Sequence, residues 1–144
     1  MNLLAEGHEF LSLGALAVSP DANLLRLFDR RYRVSRVHAA GEGSSQRATA
    51  VRADRKTRSV AWANDSATLF YVQEDVRETR LAACTAMRSA SAEDALVFEE
   101  GDARFSIGVQ RSRSRGWIFL GSHSATTSEV YCIPADQPRR RATL

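Results

Sequence analysis

The stretch SVAWANDSATLFYVQED, residues 59–75, reads as strand, tight turn, strand. Val60 and Trp62 alternate with small residues, Asn64, Asp65 and Ser66 carry side chains that bond local backbone, and 69–72 is a run of aromatic and branched residues. The same grammar appears earlier, at LGALAVSPDANLLRLFD (13–29). There Pro20 presets φ for a turn and Asp21 can bond its own backbone. It appears again at FSIGVQRSRSRGWIFLGS (105–122), where Ile107 and Val109 lead into a polar turn ending in Gly116. Val18, Trp62 and Val109 occupy comparable positions, 44 and 47 residues apart.

A repeat of about 40 to 50 residues, each unit holding several strands, is the pattern of β-propeller blades. Shorter strands are expected between the hairpins at 32–37, 48–51, 80–85, 95–98 and 129–133, so the strands group as four, four and three. The fold class is therefore all-β, a partial β-propeller of about two and three-quarter four-stranded blades. The divisions are a leader at 1–14, blades at 15–56, 57–100 and 101–138, and a basic tail at 139–144. A β-sandwich would use similar strands and turns, but the spacing of the paired hairpins favours the propeller. Helix is expected at most in the leader, at 3–10, and over 82–92, and neither segment has a full amphipathic stripe.

Composition excludes little. With 44% apolar and 26% charged residues the chain has an ordinary globular balance, enough for one domain or part of one. No apolar run approaches the roughly 18 residues that cross a bilayer, and the first residues, MNLLAEGHEF, do not have the pattern of a secretory signal, so a soluble, cytoplasmic protein is expected. Cys84 and Cys132 have no partners at metal-site spacing and are expected as buried free thiols. The net charge of +3 could suit an acidic partner, but Lys56 is the only lysine among twenty basic residues, and a coding bias toward arginine explains the charge equally well.

Four segments follow one another in an order that resembles a known family: LLAEGHEFLSLGALAVSPD (3–21), SVAWANDSATLFYVQED, EDALVFEEGDARFSIGVQRSRS (93–114) and SHSATTSEVYCIPADQP (122–138). They are similar to the entry of the propeller in the prolyl oligopeptidase family, and to its oligopeptidase B (protease II) branch in particular. The resemblance implies a seven-bladed propeller that admits short peptides to an α/β-hydrolase domain with a Ser-Asp-His triad. Only the beginning of that propeller is expected within these residues. Two stretches depart from the family pattern: the short Asp29-Arg30-Arg31 connection, and the basic segment 43–56.

The chemistry-bearing residues do not assemble into a peptidase site. The nucleophile turn of this enzyme class is G-x-S-x-G, and no such pentapeptide occurs; Gly43-Ser44 and Gly121-Ser122 do not have the flanking glycine. His8, His38 and His123 sit apart at spacings that suit solvated or structural roles. The carboxylates Glu74-Asp75 and Glu99-Glu100 with Asp102 could attract a basic peptide, but solvated loops between blades are the simpler reading. Arg111, Arg113 and Arg115 alternate with serine and Arg139-Arg140-Arg141 lie in the basic tail, yet no aromatic platform interleaves with them, so nucleic-acid binding is not expected. Trp62 and Trp117 are expected to pack between blades. No catalytic, cofactor-binding or metal-binding residue is assigned.

The expected function is that of a non-catalytic propeller portion of an oligopeptidase B-like serine peptidase, which gates the access of short peptides to a separate active site. The alternative is a standalone propeller-like protein-interaction module. The expected partners are an α/β-hydrolase catalytic domain, or a second copy bound through exposed blade faces, with peptides as the family's ligands and neither nucleic acid nor membrane.

Overall fold

The computed structural model describes residues 13–29, 34–39, 49–52, 56–74, 82–88 and 95–144. These form β1 (Leu13–Val18), β2 (Leu24–Asp29), β3 (Val34–Ala39), β4 (Thr49–Arg52), β5 (Lys56–Trp62), β6 (Thr68–Glu74), β7 (Ala82–Arg88), β8 (Ala95–Glu100), β9 (Ser106–Arg111), β10 (Trp117–His123) and β11 (Ser128–Pro134). They make three antiparallel meanders in chain order, β1 to β4, β5 to β8 and β9 to β11, so the grouping is four, four and three as expected. No helix occurs among the described residues. The helix considered over 82–92 is in its described part β7, whose two neighbours satisfy its backbone in a sheet. The leader at 3–10 lies outside the described residues.

The three hairpin turns are copies of one another. Each has five residues, at 19–23, 63–67 and 112–116. The N–H of the first turn residue bonds the carbonyl of the residue that opens the next strand: Ser19 to Leu24 at 2.8 Å, Ala63 to Thr68 at 2.9 Å and Ser112 to Trp117 at 2.8 Å. A side-chain oxygen at the third position accepts the N–H two residues on, Asp21 from Asn23, Asp65 from Ala67 and Ser114 from Gly116. The fourth residue is left-handed in every copy, with φ of 59° at Ala22, 52° at Ser66 and 61° at Arg115. A positive φ at a residue with a Cβ costs about 1 kcal/mol, which the surrounding hydrogen bonds must offset.

These turns correct the register read from sequence. The repeat is 44 residues from Ala22 to Ser66 but 49 from Ser66 to Arg115. The residue that ends the third inner strand, matching Val18 and Trp62, is therefore Arg111 and not Val109. Trp117 matches Leu24 and Thr68, which open the second strand of their sheets.

The inner strands β1, β5 and β9 lie side by side, so the sheets stack like successive blades. Period-two geometry sends alternate residues to opposite faces. Val60, Trp62, Leu69 and Tyr71 face back onto Ala17 and Leu24 of the first sheet. Ala61, Ala63, Phe70 and Val72 face forward onto Ile107, Val109, Ile118, Leu120 and Ile133 of the third. Because the middle sheet is covered on both sides, 69–72 is apolar without alternation, as in any strand buried on two faces. Leu69, Phe70, Val72, Ile118, Leu120 and Ile133 are at most 1% exposed, and burying each stabilises the stack by about 1.5–3 kcal/mol.

Both outer faces carry exposed apolar side chains among the described residues. Leu16 and Val18 point back from the first sheet and are 51% and 53% exposed. Trp117 points forward from the third and is 44% exposed, as is Val130 at 56%. Trp117 lies on the forward face of the last described sheet, whereas Trp62, at 5% exposure, packs between the first two sheets.

Candidate functional site

Charged and polar side chains converge where the turn of the middle sheet meets the third sheet. Asn64 sits at the centre. Its Nδ2 donates to the Asp136 carboxylate at 2.7 Å and to the Arg115 carbonyl at 3.1 Å, and its backbone N–H donates to the Ala135 carbonyl at 2.9 Å. The Asn64 side-chain oxygen accepts from Nη2 of Arg111. Thus Arg111 does at this junction what Trp62 does at the previous one: as the last residue of its inner strand it reaches back to the preceding sheet.

The electrostatics follow from this packing. Burial pushes the Arg111 guanidinium below its usual basicity and the charge of Arg115 adds to that, while Asp136 opposes both. The Nε of Arg111 is buried with no hydrogen-bond partner among the described residues. Next in the turn, Asp65 accepts from the N–H and hydroxyl of Thr68 at 2.8 and 2.7 Å and from the Ala67 N–H at 3.0 Å. Burial pushes its carboxyl up, but these bonds and the charge of Arg139 outweigh that and hold it below the ordinary value. The earlier junction is built alike, with the Asp21 N–H donating to the Ser66 hydroxyl at 3.1 Å. Asp21 is held below the usual carboxylate range chiefly by the Ser19 hydroxyl.

The structure brings residues of both arginine clusters to the middle turn. Arg111 and Arg115 flank Asn64, while Arg139 acts on Asp65. The feature that joins them is the loop after β11, which returns Ala135 and Asp136 to the turn end.

The other sequence candidates are committed to local contacts. Ser122 is 1% exposed and donates to Glu100 at 3.0 Å. Glu100 also accepts the Asp102 N–H at 3.1 Å. Asp102 forms a fork with Arg104, the closest contact being 2.6 Å, which lowers its carboxyl to about 2. Glu99 and His123 are exposed, and His38 lies in β3 paired with Leu25. Glu74 ends β6. Cys132 is free and half-buried, not fully buried. His8, Gly43, Ser44 and Asp75 lie outside the described residues. Among the described residues no group of three or more histidine, cysteine or carboxylate side chains could hold a metal, and no helix is long and apolar enough to cross a membrane. What the arrangement can do chemically is bind and orient: it offers donors, acceptors and cations at sheet ends.

A further feature was not anticipated from sequence. Thr143, in the basic tail, exchanges backbone hydrogen bonds with Cys132, at 2.7 and 3.1 Å. The tail thereby runs along the free edge of β11 and walls one side of a groove whose other side is β8. Phe98 and Tyr131 meet on its floor with ring centroids 4.9 Å apart. The Tyr131 hydroxyl donates to Glu129 at 2.7 Å, and this bond, with burial and the charges of Glu129 and Glu100, raises its pKa.

Comparison with known proteins agrees with the stacked sheets. Residues 1–144 match the family model described as prolyl oligopeptidase, N-terminal beta-propeller domain. Dipeptidyl aminopeptidase BI of Pseudoxanthomonas mexicana is 32% identical over 145 aligned residues, covering 96% of this chain and 20% of the relative. Protease 2 of Moraxella lacunata is 28% identical, covering 96% of this chain and 21% of the relative. The structure of oligopeptidase B from Leishmania major superposes with a TM-score of 0.69 at 20% identity, covering 93% of this chain and 19% of that one. The chain thus spans about a fifth of the length of these relatives. It belongs to the prolyl oligopeptidase family and represents part of that family's N-terminal β-propeller domain.

Proposed function

We propose that these blades form part of a gate that admits short peptides to an α/β-hydrolase unit, and that they take no part in bond cleavage themselves. The observation that carries this reading is the forward face of the third sheet. There β10 is apolar on both faces, as in a strand built for burial on two sides, yet Trp117 remains 44% exposed. A face of that kind is made to be covered by a neighbour. The peptidase names of the relatives support a hydrolase unit as the functional partner. The commitment of Ser122 to Glu100 supports a structural use for the serine nearest to a nucleophile motif.

A chimaera tests the gate. Placed in dipeptidyl aminopeptidase BI in exchange for the corresponding residues, the chain should support cleavage of short peptides and exclude an unfolded protein substrate. Equal cleavage of both would overturn the reading. The purified chain alone should leave a fluorogenic diarginyl peptide intact. Hydrolysis blocked by a serine-directed covalent inhibitor would show that it carries its own nucleophile.

A second reading is a standalone interaction module, favoured by the exposed apolar residues at both ends of the stack, Leu16 and Val18 on one face and Trp117 and Val130 on the other. It predicts concentration-dependent self-association in size-exclusion chromatography.

A further inference from the structure

The groove between β8 and the tail has a volume of about 640 Å³ and is lined by four successive strand residues, 95–98. The pairing of β8 with β7 shifts register between Cys84 and Thr85, so Val97 is bulged and 97 and 98 both reach the apolar cluster, and the outer edge of β8 borders the groove. That edge is free: β8 is the last strand of its sheet, and its outer side makes no backbone hydrogen bond to any described residue. Leu96 is 55% exposed there, and Phe98 and Tyr131 supply an aromatic floor. An uncovered strand edge with pockets for alternate side chains is the setting for strand addition by an extended peptide.

The other wall is cationic. Arg139, Arg140 and Arg141 all line the groove and all are exposed. Arg141 has no hydrogen-bonded or ionic partner among the described residues, and Arg140 has only a 3.5 Å contact with Gln137. Thr68 also lines the groove and places the arginines at the turn end of the stack. Glu99 and Glu100 lie at the far end of β8, beyond the groove-lining residues, and Glu100 is already engaged by Ser122. The three arginines favour a ligand that brings carboxylates to their side of the groove.

We propose that this groove binds an extended acidic peptide segment, which pairs as an added strand with the outer edge of β8, sets apolar side chains against Leu96 and Phe98, and presents carboxylates to Arg139, Arg140 and Arg141. This site is separate from the peptide gate, since it sits on the outermost strand of its sheet. Backbone pairing supplies sequence-tolerant affinity, and the arginine–carboxylate contacts select acidic over basic segments.

The probe is a short fluorescein-labelled peptide of alternating valine and glutamate, followed by fluorescence anisotropy with the full chain. Saturable binding that weakens with added salt is expected. The exposed triple variant Arg139→Gln/Arg140→Gln/Arg141→Gln should weaken it by about tenfold or more, since charge-assisted bonds are lost. Leu96→Glu should weaken it as well, with Trp62 fluorescence reporting that both variants remain folded. Methylating alternate backbone nitrogens of the peptide, which removes its pairing donors, should abolish binding. The proposal is overturned if a control peptide of alternating valine and lysine binds as tightly, if the triple variant or the methylated peptide binds unchanged, or if no saturation occurs by about 1 mM, where binding free energy is only about 4 kcal/mol.

Discussion

The indole Nε1 of Trp62 donates to the backbone carbonyl of Ala17 at 3.1 Å, across the boundary between the first two sheets. Ring and hydrogen bond act together: the ring covers Ala17 and Leu24 while its polar edge finds the one partner that burial requires. Trp62→Ala should cost about 3–5 kcal/mol, by creating a cavity between two sheets. Trp62→Phe should cost less, losing the hydrogen bond and some ring area. Urea titration checks both, and equal stability of the alanine variant and the parent would show that the two sheets do not depend on this contact.

Trp117 makes the contrasting prediction. At 44% exposure it should be open to collisional quenching, whereas Trp62 at 5% should be shielded. Iodide should thus quench one fraction of the tryptophan emission, and Trp117→Phe should remove that fraction. The substitution should change stability by only about 0.5 kcal/mol, as at other surface sites. If Trp117 proves shielded in solution, its face is covered, as self-association would do.

What could be read from sequence, and what could not, divides along physical lines. Alternation at Val60 and Trp62, and the turn chemistry of Pro20-Asp21 and Asn64-Asp65, reported local geometry, so the hairpins and the four, four and three grouping were legible. The third register was misplaced by two residues because Arg111 interrupts an apolar alternation that Ile107 and Val109 had established. Its burial depends on Asn64, 47 residues away, which no local pattern reveals. The groove was illegible because it needs Thr143 to bridge Cys132, a pairing set by a loop return.

The left-handed residue shared by the three turns offers a stabilising change. Ala22 has φ of 59°, and its side chain is exposed. Ala22→Gly should remove most of the roughly 1 kcal/mol that a Cβ costs there, less the added freedom of the unfolded chain. A net gain of about 0.5 kcal/mol is expected in denaturant titration. A loss of similar size would mean that the turn relaxes around alanine without strain.

Asp65 should carry an acid-dependent share of stability. Its folded carboxyl lies below the ordinary value of 3.8, so the unfolded chain binds more protons in acid. Its contribution is therefore fully present above 3.8 and is lost as pH falls through the lower folded value. Asp65→Ala leaves the N–H groups of Ala67 and Thr68 without this acceptor, and Thr68 is 3% exposed. A cost of about 1–3 kcal/mol near neutral pH is expected, shrinking as both proteins are acidified. A gap independent of pH would indicate that the turn uses the shape of the side chain and not its charge.

The Asn64 junction should behave as a coupled unit. Asn64→Ala strands the Arg111 Nη2 and the Arg115 carbonyl and releases Asp136, so it should cost about 1–3 kcal/mol. Arg111→Met should cost less, because burial already disfavours that guanidinium and its Nε gains no bond in the folded state. Once Arg111 is methionine, Asn64→Ala no longer strands a half-buried donor, so the double variant should be more stable than the sum of the single effects predicts. The coupling energy expected for residues in one hydrogen-bond network is about 0.5–3 kcal/mol, and a double-mutant cycle by urea denaturation measures it. If the two substitutions add to within about 0.5 kcal/mol, Arg111 and Asn64 do not hold the sheets together and the apolar contacts of Phe70 with Ile118 and Leu120 carry the junction alone.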